Sequence, residues 1–368
     1  MIRKLNRKLQ DYMRPKRLAL GKWIWDRKEK KEKMDLTKLK SILFLRYDGK
    51  IGDMVVTTFM FREIKKKYPN VKIGVVSRGA AMDIIKNNPY IDNIYEYTKG
   101  KESLLGKKIS DEKYDVLIDF SEVLRVKDMK LINLCNVKIN IGLNKKKWKL
   151  FDISIEPEKD FQWDDHITKR YECYLEKINI LESKKSYDLY LRDKSEIERK
   201  IEKNDELIVV INPYGTNTHK HFNHTTLDKI IKYLLEKKCK IIFIYYPEKY
   251  NELKLFLKKY DNKKLQLAEN IKTILDSSAI IEKGDIIITP DTSIVHIATA
   301  LNKKIISVYP PKGGNNKVDH LVWGPLDLKN KMIFCEDKKN DGDKIDINTF
   351  KFEDFIEQFE ILEKPEKL

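Results

Sequence analysis

Residues 42–53 read ILFLRYDGKIGD, and they decide the fold. The first six residues, 42–47, form a run of strand length that is apolar but for Arg46, which reads as a buried strand. Gly49 and Gly52 permit a tight turn out of that strand, and the residues that follow predict a helix reaching Tyr68. Strand, glycine-bearing loop and helix in this order open a parallel α/β unit.

The same alternation continues outward. Strands are expected over 71–77, 91–97, 116–120 and 137–142, with a helix over 78–87. It pauses over 145–206, which is polar and basic with one helix expected over 169–181. It then restarts with strands over 207–212, 240–246, 285–289 and 304–309. Helices are expected over 226–237, 249–259, 271–281, 292–301 and 350–363. Two parallel-sheet units in tandem leave a cleft between them, and ligands of open α/β sheets bind beyond the carboxyl ends of the strands.

A length of 368 residues suits two such domains. Hydrophobic residues make up 41% and charged residues 36%, a globular composition with a heavily charged surface. The net charge is +17, and residues 1–40 hold fifteen basic against five acidic residues. That imbalance points to an anionic partner: phosphorylated lipid, nucleic acid or a phosphorylated substrate. Ile2, Leu5, Leu9, Tyr12 and Met13 recur at helical spacing among Arg3, Lys4, Arg7 and Lys8. Pro15 is expected to interrupt this helix, and Leu18, Leu20, Trp23, Ile24 and Trp25 follow it. The arm reads either as a helix lying in a membrane interface or as an ordinary packed helix with solvated lysines. No apolar run approaches the roughly 18–20 residues of a membrane-spanning helix, and no apolar core follows the basic start as in a signal peptide. Cys135, Cys173, Cys239 and Cys335 form no CxxC pair, so neither a disulfide framework nor a zinc site is expected. These features place the chain in the cytoplasm.

Three loops at strand ends carry candidate chemistry. Asp53 falls in the first turn of the helix after Gly49 and Gly52, where it can face the cleft as a base or simply favour the helix start. G-x-G-x-x-G is absent, so this is not a dinucleotide fingerprint. The stretch 212–222, NPYGTNTHKHF, has Gly215 for close backbone approach, a Thr216 hydroxyl, and Lys220 as a mobile cation suited to phosphate. His219, His221 and His224 lack a carboxylate or cysteine to complete a metal set. In 289–296, TPDTSIVH, Asp291 is expected to cap a helix whose first turn holds Thr292, Ser293 and Ile294. Free N–H groups at such an end attract phosphate oxygens.

In order, these segments resemble glycosyltransferase family 9, the bacterial heptosyltransferases of lipopolysaccharide core synthesis. The resemblance spans about 42–324. It rests on ILFLRYDGKIGDMVVTTFMFREIKKKYPNVKIGVV, NNPYIDNIYEY, YDVLIDF, VVINPYGTNTHKHF and ITPDTSIVHIATALNKKIISVYPP. It implies a GT-B fold: an α/β chain of two Rossmann-like domains facing a central cleft. The domains would run as a basic amphipathic arm (1–40), an acceptor domain (41–150), a connecting segment (151–205), a sugar-nucleotide domain (206–335) and a C-terminal helix (336–368). The resemblance implies an inverting, metal-independent transfer with no cofactor beyond the sugar nucleotide, usually ADP-heptose. Asp53 matches the family's base, and Thr216 and Lys220 its phosphate-binding loop. Asp291, Thr292, Ser293 and His296 match its diphosphate motif, and Glu248 its ribose-binding acid. Ser293 replaces the family's usual glycine, Phe222 a tryptophan, Asn212 a histidine and Asn223 a proline.

The leading expectation is a heptosyltransferase acting on a lipopolysaccharide or lipooligosaccharide core acceptor. The partners would be a sugar nucleotide, a lipid-linked saccharide and, through residues 1–40, an anionic membrane surface, with the enzyme peripheral on the cytoplasmic face of the inner membrane. Two alternatives stand beside it: a GT-B enzyme using another sugar nucleotide in a different surface glycan, and a non-catalytic module binding anionic lipid or nucleic acid. No nucleic-acid motif is present, so specific nucleic-acid binding is not expected.

Overall fold

The computed structural model describes residues 2–28, 34–191, 206–311, 318–327, 330–336, 339–340 and 344–364. A first parallel sheet contains β1 (Ser41–Leu45), β2 (Lys72–Ser77), β3 (Asn93–Glu96), β4 (Val116–Asp119), β5 (Ile139–Leu143) and β6 (Ile153–Ile155), in spatial order β3-β2-β1-β4-β5-β6. With it go α1 (Ile2–Trp25), α2 (Ile51–Lys67), α3 (Ala81–Ile85), α4 (Glu102–Ser110), α5 (Val126–Cys135) and α6 (Ile167–Glu176). A second parallel sheet contains β7 (Leu207–Ile211), β8 (Cys239–Phe243), β9 (Leu265–Leu267), β10 (Ile286–Pro290), β11 (Lys304–Tyr309) and β12 (Lys331–Phe334), in order β12-β11-β10-β7-β8-β9. Its helices are α7 (His224–Leu235), α8 (Tyr250–Leu257), α9 (Ile274–Lys283), α10 (Ser293–Ala300), the short α11 (Asp319–Val322) and α12 (Phe352–Glu363).

Both sheets follow the same doubly wound order, and each reverses direction once. The reversal lies between β1 and β4 in the first sheet and between β7 and β10 in the second. Those two switch points open crevices at the carboxyl ends of the strands. The loops after β1, β7 and β10 are the three singled out in the sequence.

Helix α2 explains why its sequence lacks a polar face. Met54 to Ile64 is almost wholly buried, because the helix packs on α3 and α6 of its own lobe and on α10 of the other. A helix enclosed on all sides needs apolar residues all round. Phe44 and Phe61 meet edge to face at 4.9 Å beneath it. One buried cluster takes in Leu39, Ile42 and Phe44 and runs through α2 into Ile297 and the second sheet.

The stretch 151–205, expected to connect the lobes, contributes to the first of them. β6 adds a sixth strand beside β5, and α6 packs on α2. A three-residue edge strand carries too little periodicity to be read from sequence. The expected helix over 169–181 closes at Glu176; Asn179 turns left-handed at φ 63° and the Ile180 N–H returns to the Leu175 carbonyl. Beyond it the chain crosses α2, where Arg62 donates to the Ser186 carbonyl at 2.9 Å and Asp188 N–H donates to Thr58 Oγ1 at 2.8 Å. Residues 192–205 lie outside the described residues.

Pro15 does not end α1, which runs through it as one helix. The proline removes a single backbone hydrogen bond, while the following turns are held by packing on α5. The side chains of Ile2, Leu5 and Leu9, the start of the expected apolar stripe, lie outside the described residues.

Candidate active site between the two lobes

The turn out of β1 puts Gly49 at φ 78°, a left-handed conformation that disfavours side chains. Arg78 braces this turn by donating to the Asp48 carbonyl at 2.8 Å. Asp53 therefore sits in the first turn of α2, with little solvent access. Its carboxylate is held by Arg46, whose Nη2 is 2.6 Å from Asp53 Oδ1. The same nitrogen donates to the Tyr171 hydroxyl at 2.5 Å, and the guanidinium packs over Phe120 and Tyr171. Arg46 is buried; its neighbours Tyr171, Asp53 and Asp48 raise its pKa against the opposing effect of burial. Neither Arg46 nor Tyr171 was singled out in the sequence.

Tyr47, next in the loop, reaches the other way and donates to Asp128 Oδ1 at 2.7 Å in the first turn of α5. Burial and Asp128 push its phenol pKa upward.

In the second lobe, Asn212 directly follows β7 and donates to the Tyr214 carbonyl and to Thr289 Oγ1, at 2.8 and 2.9 Å, tying the two switch-point strands together. Gly215 is required by the loop's own fold, since a Cβ there would lie 2.5 Å from the Lys220 carbonyl oxygen. Thr216 is exposed at the loop tip. Lys220 reaches across to β10's loop, with Nζ 2.7 Å from Asp291 Oδ2.

Asp291 is not the helix cap expected from sequence. Thr292 takes that position in extended conformation and makes no side-chain cap bond, because the Asp291 carboxylate is turned to Lys220. The first turn of α10, Ser293 and Ile294, thus lacks a side-chain cap, the arrangement in which helix N–H groups can meet an anion. Asp319, unmarked in the sequence, stands near this pair; burial and Asp291 push its carboxyl pKa upward while Lys220 opposes them. Glu248 lies exposed in the turn Pro247–Lys249, beyond β8. It shares the same sheet edge but has no described contact with Lys220 or Asp291.

The two lobes meet at the starts of α2 and α10. A Cβ at Gly52 would lie 2.7 Å from His296 Cδ2 and 3.4 Å from Ser293 Cα, so any larger residue would require the imidazole or the lobes to shift. Asp53, the next residue, thus stands in the first turn of α2 where that turn meets the first turn of α10, and two positive helix ends converge there. His296 is buried against Tyr187 and Trp323, and burial lowers its pKa from 6.5 to about 4. His166, the cap of α6, closes the same seam through Nε2, 3.0 Å from the Gly324 carbonyl oxygen. Among the described residues, no group of three or more His, Cys, Asp or Glu side chains is gathered as a metal site would require.

Comparison with known proteins bears on this arrangement. Residues 103–344 match the model of glycosyltransferase family 9 (heptosyltransferase). The chain is 28% identical over 315 residues to an Escherichia coli K12 protein named "Putative lipopolysaccharide heptosyltransferase 4", covering 81% of this chain and 82% of that one. Among solved structures, a family 9 glycosyl transferase from Veillonella parvula superposes with a TM-score of 0.71 at 15% identity, covering 89% of this chain and 98% of its own. The E. coli heptosyltransferase WaaC with ADP gives 0.64 at 12% identity, covering 88% and 99%. Both superpositions include the two lobes and show the GT-B fold.

Proposed function

The chain belongs to glycosyltransferase family 9, the heptosyltransferase family, and on that premise we propose that it moves a heptose from ADP-heptose to a lipid-linked saccharide of a lipopolysaccharide core. Transfer is inverting and needs no metal. The single observation that carries this reading is the close approach of Gly52, the residue before Asp53, to Ser293 and His296 of α10, whose preceding loop holds the Lys220–Asp291 pair.

An acceptor hydroxyl bound in the first lobe attacks the anomeric carbon while ADP leaves from the opposite face. Asp53 takes the hydroxyl proton as the new bond forms, using the carboxylate oxygen that Arg46 leaves open. Arg46 fixes the rotamer of that carboxylate, so the base enters the reaction oriented.

Charge grows on the departing diphosphate. Lys220, the Thr216 hydroxyl and the N–H groups of the first turn of α10 supply the compensation in a site already organised to do so. Asp291 acts on Lys220 and not on phosphate, because two anions at hydrogen-bond distance repel. It aims the lysine and neutralises it until the donor arrives. His296 stays neutral and packs the seam. Glu248, on the same sheet edge, is the candidate for the nucleotide ribose.

The heptosyltransferase names of the relatives and the ADP in the WaaC structure support the choice of donor. The same reading places the enzyme peripherally on the cytoplasmic membrane face, where residues 1–40 meet anionic lipid. A second reading, another sugar nucleotide in a different glycan, is favoured by Ser293 in the glycine position and by Asn212, whose amide is already committed to Tyr214 and Thr289. Calorimetric titration with ADP-heptose, ADP and a panel of uridine and guanosine diphosphate sugars separates the two. Preference for ADP-heptose supports the first; preference for another base or sugar replaces it.

A further inference from the structure

Helix α1 is fastened to the first lobe along one side only. Gly21 sits against Val126, the first residue of α5, so closely that a Cβ would lie 2.6 Å from its Cγ2. At the other end of α5, Asn133 Nδ2 donates to the carbonyls of Trp25 and Arg27 at 3.2 and 2.7 Å. Asp26 is buried and accepts from the Leu150 N–H at 3.0 Å. The two helices thus lie side by side in the same direction, from Val126 to Asn133.

This register has a consequence for where α1 points. α5 begins just after β4's carboxyl end, at the edge of the sheet that carries the Asp53 loop, and Tyr47 of that loop is bonded to Asp128 in its first turn. Everything in α1 before Gly21 must therefore run past that edge. The ten residues back to Asp11 extend about 15 Å beyond it at 1.5 Å per residue.

The side of α1 away from α5 is apolar, aromatic and basic. Tyr12, Lys16, Leu20 and Trp23 follow one another at spacings of three and four, so they form one stripe, and Arg27, just past the helix end, folds back to it by donating to the Trp23 carbonyl at 2.8 Å. Tyr12, Leu20 and Trp23 are 63%, 58% and 68% exposed, far more than aromatic and leucine side chains in a finished packing surface. Each ring has its own cation: Lys16 Nζ lies 4.2 Å from the Tyr12 ring centroid, and the Arg27 guanidinium 5.0 Å from that of Trp23. Arg17 and Lys22 stand to either side of the stripe, both exposed, with Lys22 Nζ 4.7 Å from the Trp148 ring centroid, and within residues 11–28 Asp11 is the one exposed acid. Val123, 70% exposed in the loop leading to α5, adds an apolar residue at the same end of the lobe.

We propose that this stripe, Tyr12-Lys16-Leu20-Trp23-Arg27, is a rigid seat for the surface of an anionic bilayer, and that it turns the acceptor mouth of the cleft toward the lipid. Its aromatic and leucine side chains enter the headgroup region while the flanking cations meet lipid phosphate. Because Gly21, Trp25 and Asp26 lock the helix to the lobe, the seat orients the enzyme and does not merely tether it. The proposal rests on the functional reading only in its choice of a membrane as partner.

The test uses the full-length chain, sedimented with phosphatidylcholine vesicles and with vesicles that also contain phosphatidylglycerol. Leu20→Glu/Trp23→Glu and Lys16→Glu/Arg17→Glu alter exposed positions outside the cleft, and circular dichroism and ADP-heptose titration report their integrity. The wild-type chain should bind the anionic vesicles, and each double variant should lose about tenfold or more in partition coefficient with donor titration unchanged. Vesicle binding needs no sugar transfer, so a chain that binds through the stripe but transfers no heptose upholds the seat and overturns the functional reading. Undiminished vesicle binding by Leu20→Glu/Trp23→Glu overturns the seat. So does a wild-type chain that ignores vesicles and instead dimerises, or is retained on RNA, through the stripe.

Discussion

Arg46 Nη2 stands 2.6 Å from Asp53 Oδ1, and this bond turns an ordinary helix-start aspartate into an oriented carboxylate. The arginine is itself fixed by Tyr171 and by the rings it packs against. Asp53→Asn should keep donor binding and lose transfer by a factor of about 100 or more. Single-turnover rates with saturating donor measure this, and an unchanged rate removes Asp53 as the base.

Arg46 should act through Asp53 alone. Arg46→Ala is expected to lower kcat about tenfold or more while leaving the donor KM near its wild-type value, and Arg46→Lys should restore part of kcat. A loss confined to donor KM would place Arg46 in the nucleotide site instead.

Lys220 is paired to Asp291, and in the proposed mechanism it turns to the diphosphate once that pair opens. Removing a charge-assisted contact of this kind costs about 1.5–3 kcal/mol. Lys220→Ala should therefore weaken donor binding by roughly 10–150-fold in calorimetry. Equal affinity would put the lysine outside the site.

The proposed donor site and the proposed base belong to different lobes, and glycine at 52 lets the first turns of α2 and α10 meet. Gly52→Ala would set a Cβ 2.7 Å from His296 Cδ2, so the lobes must separate or the imidazole must move. Transfer should fall while donor affinity, carried by the second lobe, changes little. Adding His296→Ala should recover part of the rate. Full activity in the single variant would show that the contact is dispensable.

His296 also makes a pH prediction. Burial lowers its pKa from 6.5 to about 4, with His166 acting in the same direction and Asp291 against it. The unfolded chain takes up this proton below about 6.5, whereas the folded one does so only near 4. Stability from this group is therefore complete above 6.5 and lost as the pH falls toward 4, by about 3 kcal/mol at most. Urea unfolding of wild type and His296→Phe across pH 4.5–7.5 should show the shallower slope in the variant. Equal slopes would contradict the buried neutral imidazole.

What the sequence made legible follows from physical range. The 42–53 stretch showed β1, its turn and α2, because a fully apolar strand and two glycines are local signals. The loops after β7 and β10 were visible for the same reason. Arg46 and Asp319 were not, since their meaning lies in partners distant along the chain: Tyr171 is 125 residues from Arg46. Asp291 was misplaced as a cap because its carboxylate is turned away by Lys220, 71 residues upstream. β6 and β9, three-residue edge strands, carry too little pattern to announce themselves.

The central claim is met most directly by the mass of the reaction product. Purified enzyme, ADP-heptose and a lipid-linked core saccharide should yield an acceptor heavier by one heptosyl residue, in the presence of chelator and with wild type but not Asp53→Asn. An acceptor of unchanged mass with ADP-heptose, alongside a glycosylated product from a different sugar nucleotide or activity that returns only with added Mg²⁺, would contradict it.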